Sequence, residues 1–339
     1  MLNFRRFITC LVIALVCLAA APSLAEDQGP LTIYSGRNES LIGPILAQFS
    51  ADTGIEVEVL YGGTSAVANQ ILTEGENSPA DVFIAQDGGA LGALAAADML
   101  HKLPDATIGR VVNPAFVSPT GYWVGLSGRA RVFVYNPEML AKAGLELPES
   151  ILDLTDEAWS GLVGWAPTNA SFVANVTAMR VLLGAEETAA WLAGMTANGV
   201  IPYPKNTPIV QATIDGEVVG GLVNHYYLFR FLAEDPDITA RLHFFPGGDL
   251  GSLINVAGAA VLNTTDQPYD ALALVDYLLS DAAQEYFAQS AYEYPLVDSV
   301  EPVVDLPALA DIETPALDLS DLADLQGTLA MIEDSGALD

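Results

Sequence analysis

Between Leu31 and Ala97 the apolar residues switch repeatedly between strand and helix spacing, and this rhythm limits the fold more than any other feature of the chain. Leu31-Thr-Ile-Tyr34 is a short β-type run, broken by Ser35-Gly36-Arg37-Asn38, after which Leu41, Ile42, Ile45, Leu46 and Phe49 recur at helical spacing. Ile55-Glu-Val-Glu-Val-Leu60 alternates as a second strand, and Gly62-Gly63-Thr64-Ser65 leads into a helix carrying Val67, Ile71 and Leu72. Asp81-Val-Phe-Ile-Ala85 is a third, buried strand, and Gln86-Asp87-Gly88-Gly89 opens a helix from Ala90 to Ala97. Strand, helix, strand, helix, strand predicts an α/β fold on an open parallel sheet. In such sheets ligands gather at the carboxyl ends of the strands, where loops meet helix N-termini. Three loops qualify, at 35–39, 62–65 and 86–89.

The later chain repeats the rhythm and returns. Val124 to Tyr135 reads as an extended crossing, which places a lobe boundary near Arg131. Gly161 to Trp165 is a strand, 167–171 a loop, Phe172 to Leu183 a helix, and Asn206-Thr-Pro208 starts another that ends at Asp215-Gly216. Gly258 to Leu262 looks like the return crossing, and Tyr269 to Gln289 one long helix. The expected organisation is a first lobe of 26–131 plus 258–305, a second lobe of 132–257, and an acidic tail, 306–339, whose helices pack on the outside without a functional role.

A strand from Val218 to Val223 delivers Tyr226 and Tyr227 to a helix start. Two adjacent phenolates are hard, anionic oxygen donors, suited to a hard and highly charged cation, and ferric iron fits best. The alternative is that one tyrosine packs inside and the other caps the helix. His225 points away from Tyr226 if the strand geometry persists. Asp87 is placed to cap the helix after it, and that role is favoured over a metal ligand.

At 339 residues the chain has the length of two domains. Arg5 and Arg6, the apolar run from Phe7 to Ala21 and the small residues up to Ala25 form an export leader, with cleavage expected after Ala25. Both cysteines, Cys10 and Cys17, lie in the leader, so the mature chain has neither a disulfide nor a thiolate site. With 12 Lys and Arg against 43 Asp and Glu, the net charge of −31 repels nucleic acid and anionic membrane. No Gly-x-Ser-x-Gly elbow, His-Glu-x-x-His or cysteine nucleophile is present, which argues against an exported hydrolase.

Ordered motifs run along the mature chain: Tyr34-Ser-Gly-Arg-Asn, Asn77-Ser-Pro-Ala-Asp-Val-Phe, Leu126-Ser-Gly-Arg-Ala-Arg-Val-Phe-Val-Tyr, Lys205-Asn-Thr-Pro, Asn224-His-Tyr-Tyr and Tyr294-Pro-Leu. Together they resemble the ferric-iron-binding periplasmic proteins of bacterial ABC transporters, within the type 2 periplasmic binding protein fold. The resemblance implies two lobes, each an open mixed sheet flanked by helices, joined by two hinge crossings. It implies a non-catalytic periplasmic receptor, monomeric, that closes over Fe3+ and a small anion such as carbonate or phosphate and passes the iron to an inner-membrane permease. Tyr226 and Tyr227 look like the paired ligands, and Asn169, Ser171 and Asn206 like the anion site; Arg37, a candidate anion contact, either offsets the anion's charge or pairs with one of the abundant carboxylates. The same two readings apply to Arg129 and Arg131. The chain departs from the pattern where many members have a histidine and a glutamate: Asn38 and Gln86 stand there, and Asn38, Gln86 and Glu39 are the candidate first-lobe contacts, Glu39 and Asp87, each one residue further on, being able to substitute as ligands. That departure leaves a receptor of the same fold for a phosphorylated organic solute as the alternative.

Overall fold

The computed structural model describes residues 29–338, so the expected cleavage after Ala25 lies outside the described residues. The early rhythm becomes β1 (Leu31–Ser35), α1 (Glu39–Thr53), β2 (Val57–Tyr61), α2 (Thr64–Glu74), β3 (Val82–Ala85) and α3 (Gly88–Ala96). The chain continues through α4 (Asp105–Ile108), β4 (Val124–Tyr135), α5 (Pro137–Ala143), β5 (Val163–Trp165), α6 (Ala170–Leu182), α7 (Ala185–Ala197), β6 (Ile201–Pro202), α8 (Asn206–Asp215), β7 (Gly220–Asn224) and α9 (Tyr226–Glu234). It closes with β8 (Arg241–His243), β9 (Ile254–Val261), α10 (Pro268–Leu278), α11 (Asp281–Ala291), β10 (Tyr294–Pro295) and α12 (Leu325–Asp334).

β2, β1 and β3 pair in parallel in that order. β3 has all four residues buried and reads as one apolar run, whereas edge strand β2 alternates half-buried Val57 and Val59 with exposed Glu58 and Leu60. β4 belongs to two sheets. From Val124 to Ala130 it pairs antiparallel with β9, which also pairs with β3; from Arg131 to Tyr135 it pairs antiparallel with β7 and β8. β5 then lies parallel between β7 and β6. Both sheets are mixed, and the partner exchange at Ala130–Arg131 makes β4 the link between lobes.

Three features differ from the expectations. The return occurs at Leu253–Ile254, ahead of Gly258, because β9 is already in register with β4 at Ile254. Gly258 is instead a packing position, where a Cβ would lie 2.6 Å from Leu91 Cδ1 and 2.8 Å from the Val124 carbonyl. The long helix is two helices, since the Ser280 hydroxyl accepts the Ala283 N–H and caps α11.

The third concerns the tail. A short 3-10 turn, Leu319–Ala323, lies directly on α3, and a Cβ on Gly89 would come within 2.4 Å of the Leu322 carbonyl oxygen. Further on, α12 docks on α6 through an Arg180–Asp324 ion pair at 2.9 Å and a Thr177–Thr328 hydroxyl bond at 2.8 Å. The tail therefore touches both lobes rather than merely covering the outside. Gly89→Ala is expected to lower unfolding stability by about 1–3 kcal/mol, the usual effect of overpacking, read as a shifted denaturant midpoint. An unchanged midpoint would mean the tail is held loosely on α3. Among the described residues no helix is long and apolar enough to cross a membrane.

Candidate functional site

β7 carries the chain to the carboxyl end of the second sheet, and His225, with helical dihedrals (φ −54°, ψ −42°), starts the turn into α9. Tyr226 and Tyr227 follow at once, their ring centroids 4.5 Å apart and their planes 31° from parallel. The Arg230 guanidinium lies over both rings, 5.2 and 5.4 Å from their centroids. The phenols, with Gln86, Asp87, Arg129 and Arg131, wall a cavity of about 340 Å³ between the lobes. Leu325 of the tail lines it too.

Charge in this cavity is unusual for so acidic a chain. Arg129 donates from Nη1 to Gln86 Oε1 at 3.1 Å, and Arg131 from Nη1 to Ser171 Oγ and Asn224 Oδ1, both at 3.1 Å. Among the described residues the Nε and Nη2 atoms of both arginines are buried without a partner. Among the described residues neither guanidinium forms an ion pair with a carboxylate. Burial lowers the Arg131 pKa to about 10, an effect the two tyrosines oppose. Burial, with Tyr227 alongside, pushes the Tyr226 phenol above its ordinary value, and Arg129 acts against that rise.

Several expected site residues come together. The Asn169 side chain caps α6, accepting the Ser171 N–H at 3.0 Å and the Ser171 hydroxyl at 2.6 Å. Asn206, buried behind them, donates to Asn169 Oδ1 and Ser171 Oγ, both at 3.3 Å, and its own Oδ1 is unpartnered. Asp87 caps α3 by accepting the Ala90 N–H at 3.0 Å, as favoured. Burial raises its pKa, against the opposing pull of that bond and of Arg129.

Others do not. Arg37 is buried away from the cavity, bonded from both terminal nitrogens to Glu293 at 3.1–3.2 Å, so it is no anion ligand here. Asn38 is exposed, and Glu39 borders a separate surface hollow beside β2, so loop 35–39 does not reach the tyrosines. His225 is fully buried. Its Nδ1 accepts the Ala130 N–H at 3.1 Å, which leaves Nε2 to donate to the Tyr292 carbonyl at 2.8 Å. It is a structural bridge to the crossing strand, held there by its turn into α9 and not by strand alternation. Asn224, Asn255 and the start of α2 at Gly63–Ala66 also line the cavity. Of these, the Gly-Gly-Thr-Ser turn and Asn224, which opens the Asn-His-Tyr-Tyr motif, carried a sequence signal; Asn255 carried none.

Residues 34–285 match the family of bacterial extracellular solute-binding proteins. The chain belongs to that family. This solute-binding protein is 33% identical over 328 residues to the major ferric iron-binding protein of Neisseria meningitidis, covering 96% of this chain and 97% of the relative. Its fold matches that of iron-bound HitA from Pseudomonas aeruginosa with a TM-score of 0.82 at 35% identity, covering 91% of this chain and 99% of that one. It also matches a Trichodesmium protein in complex with iron and citrate ligands, with a TM-score of 0.77 at 25% identity over 91% of this chain and 99% of that one. The α/β, two-lobed type 2 periplasmic binding protein fold expected from the motifs is the one observed.

Proposed function

We propose that this solute-binding protein is a non-catalytic periplasmic receptor for ferric iron, which it holds between its lobes with Tyr226 and Tyr227 as phenolate ligands and hands to an inner-membrane ABC permease. The paired phenols carry this reading, because they stack side by side on a cavity wall shared by both lobes. A small anion completes the site. Two phenolates offset only part of the ferric charge, and Arg129 and Arg131 add positive charge with no carboxylate paired to either among the described residues. Carbonate or phosphate at Ser171, Asn169 and Arg131 supplies the missing negative charge. The α6 N-terminus favours an anion there. The relative and the iron-bound neighbour named above support the choice of metal.

A free phenol titrates near pH ~10, and burial raises Tyr226 further. At neutral pH the iron-free site is therefore protonated, and loading must expel protons. Ferric affinity is expected to fall as pH drops, by up to about 100-fold per unit if two protons leave. Stripping carbonate and phosphate from the buffer, or Asn206→Ala, should weaken loading. Titrating the iron-free protein with ferric ion at two pH values while counting released protons tests this; loading that is independent of pH and of anions would contradict it.

A phosphorylated organic solute would also satisfy Arg129 and Arg131, but it leaves the paired phenols without a task. Visible absorbance separates the two, because tyrosinate-bound ferric iron is coloured and a phosphoester is not.

A further inference from the structure

We propose that the tail is a latch across the cleft: it stays seated on α3 of the first lobe, and the lobes part only when α12 lifts off α6 of the second. The latch governs lobe opening and does not depend on which cargo the cleft holds.

The seat on α3 is built for close backbone approach. Gly88, Gly89 and Gly92 lie in this short helix, although glycine weakens a helix interior. Their lack of side chains is used: a Cβ at Gly88 would lie 2.6 Å from Leu319 Cβ, and one at Gly92 would lie 2.6 Å from Ser320 Cα. Leu319 and Leu322 are buried, and Trp123 Nε1 donates to Ser320 Oγ at 3.2 Å. The grip on α6 is more polar. Arg180 donates to Asp324 Oδ2 at 2.9 Å, to the Asp324 carbonyl at 3.0 Å and to Thr328 Oγ1 at 2.8 Å, and Thr177 shares a hydroxyl bond with Thr328. Of α12 only Thr328 and Ile332 are buried, and the Asp324 side chain is 63% exposed. Water replaces such polar contacts at little cost. Lifting the tail off α3 would instead expose Leu319 and Leu322, so α12 is the side that lets go.

The chain between the two anchors is what makes them a latch. Only Ala323 separates Leu322, seated against Gly89, from Asp324, paired with Arg180. Two residues of chain reach at most about 7 Å between their Cα atoms. α3 and α6 begin on facing walls of the cavity, at Asp87 and at Asn169 to Ser171. Where the tail crosses, the lobes therefore cannot separate beyond that reach unless one anchor is released. Leu325, the next residue, lines the cavity itself. Lifting α12 thus removes part of the cavity wall in the same movement that frees the lobes, which ties cargo exit to the latch.

The test fixes α12 to α6 and measures lobe opening by small-angle X-ray scattering of the exported chain without cargo. Thr177→Cys combined with Thr328→Cys puts two thiols where the hydroxyls now meet at 2.8 Å, and both native cysteines, Cys10 and Cys17, lie in the leader. The oxidised double variant is expected to lose the open component and show a smaller radius of gyration, and reduction of the cross-link should restore the larger one. Asp324→Asn tests the same latch without a cross-link. It keeps the cap on the Gly327 N–H, since asparagine caps as well as aspartate, and removes the ion pair. The open fraction should then rise by up to about fivefold, the range of a partly exposed ion pair, and the radius with it. Oxidised and reduced forms of equal radius would mean that the tail leaves α3 instead, or that opening does not strain it, and overturn the proposal. So would an Asp324→Asn chain as compact as the wild type.

Discussion

Tyr226→Phe is expected to abolish the visible charge-transfer band and to weaken ferric binding by more than about 100-fold, since changes merely behind a metal ligand already cost 10–100-fold. Tyr227→Phe should do the same. Each substitution removes a phenol oxygen and keeps the ring. Tyr226 is 8% exposed and stacked on Tyr227, so phenylalanine preserves the packing that an alanine would destroy. Thermal unfolding of the iron-free variants should stay close to that of the wild type. Iron binding that survives in both variants, with only stability reduced, would make the pair a piece of core and a helix start.

Glu293→Gln should have the largest effect on stability, about 3–5 kcal/mol, because it leaves the buried Arg37 charge without its counter-ion. The two side chains are 0% and 2% exposed, and Ser127 donates to the same carboxylate. Denaturant unfolding reads this loss, while the folded fraction should still bind iron, since neither Arg37 nor Glu293 lines the cavity. Burial acts to raise the Glu293 pKa, but Arg37, Arg129 and Ser127 outweigh it and the net shift is downward. Its contribution is therefore complete above the free glutamate value of about 4.3 and is lost as pH falls through the lower folded value. Burial depresses His225 to about 4, so its contribution is complete above the free histidine value of about 6.5 and is lost as pH falls toward the folded one. Both groups give the same sign, and stability should decline on acidification. A variant as stable as the wild type at neutral pH would show that the pair is solvated.

Local periodicity made most of the framework legible. The strands around Leu31, Val57 and Val82, the long β4 and the tyrosine pair at a strand-to-helix junction all follow from patterns a few residues long. So does the cap at Asp87, whose acceptor reaches only as far as Ala90. Partner choice across the chain was not legible. Arg37 lies in a promising loop, yet it bonds to Glu293, 256 residues away, and nothing near Arg37 encodes that. Arg129 and Arg131 occupy alternate positions of one strand and look like ordinary salt-bridge formers, but in the cleft neither is paired with an acid among the described residues. The tail was misjudged for a related reason: acidic composition says nothing about a backbone turn lying against the glycines of α3.

The most direct test is the visible spectrum and iron content of the purified exported protein, mixed with ferric ion in the presence and absence of carbonate or phosphate. The account predicts a coloured protein with one iron per chain, a band that depends on the anion, and a colourless form once the iron is stripped. A folded protein that stays colourless and takes up no iron with either anion present would contradict it.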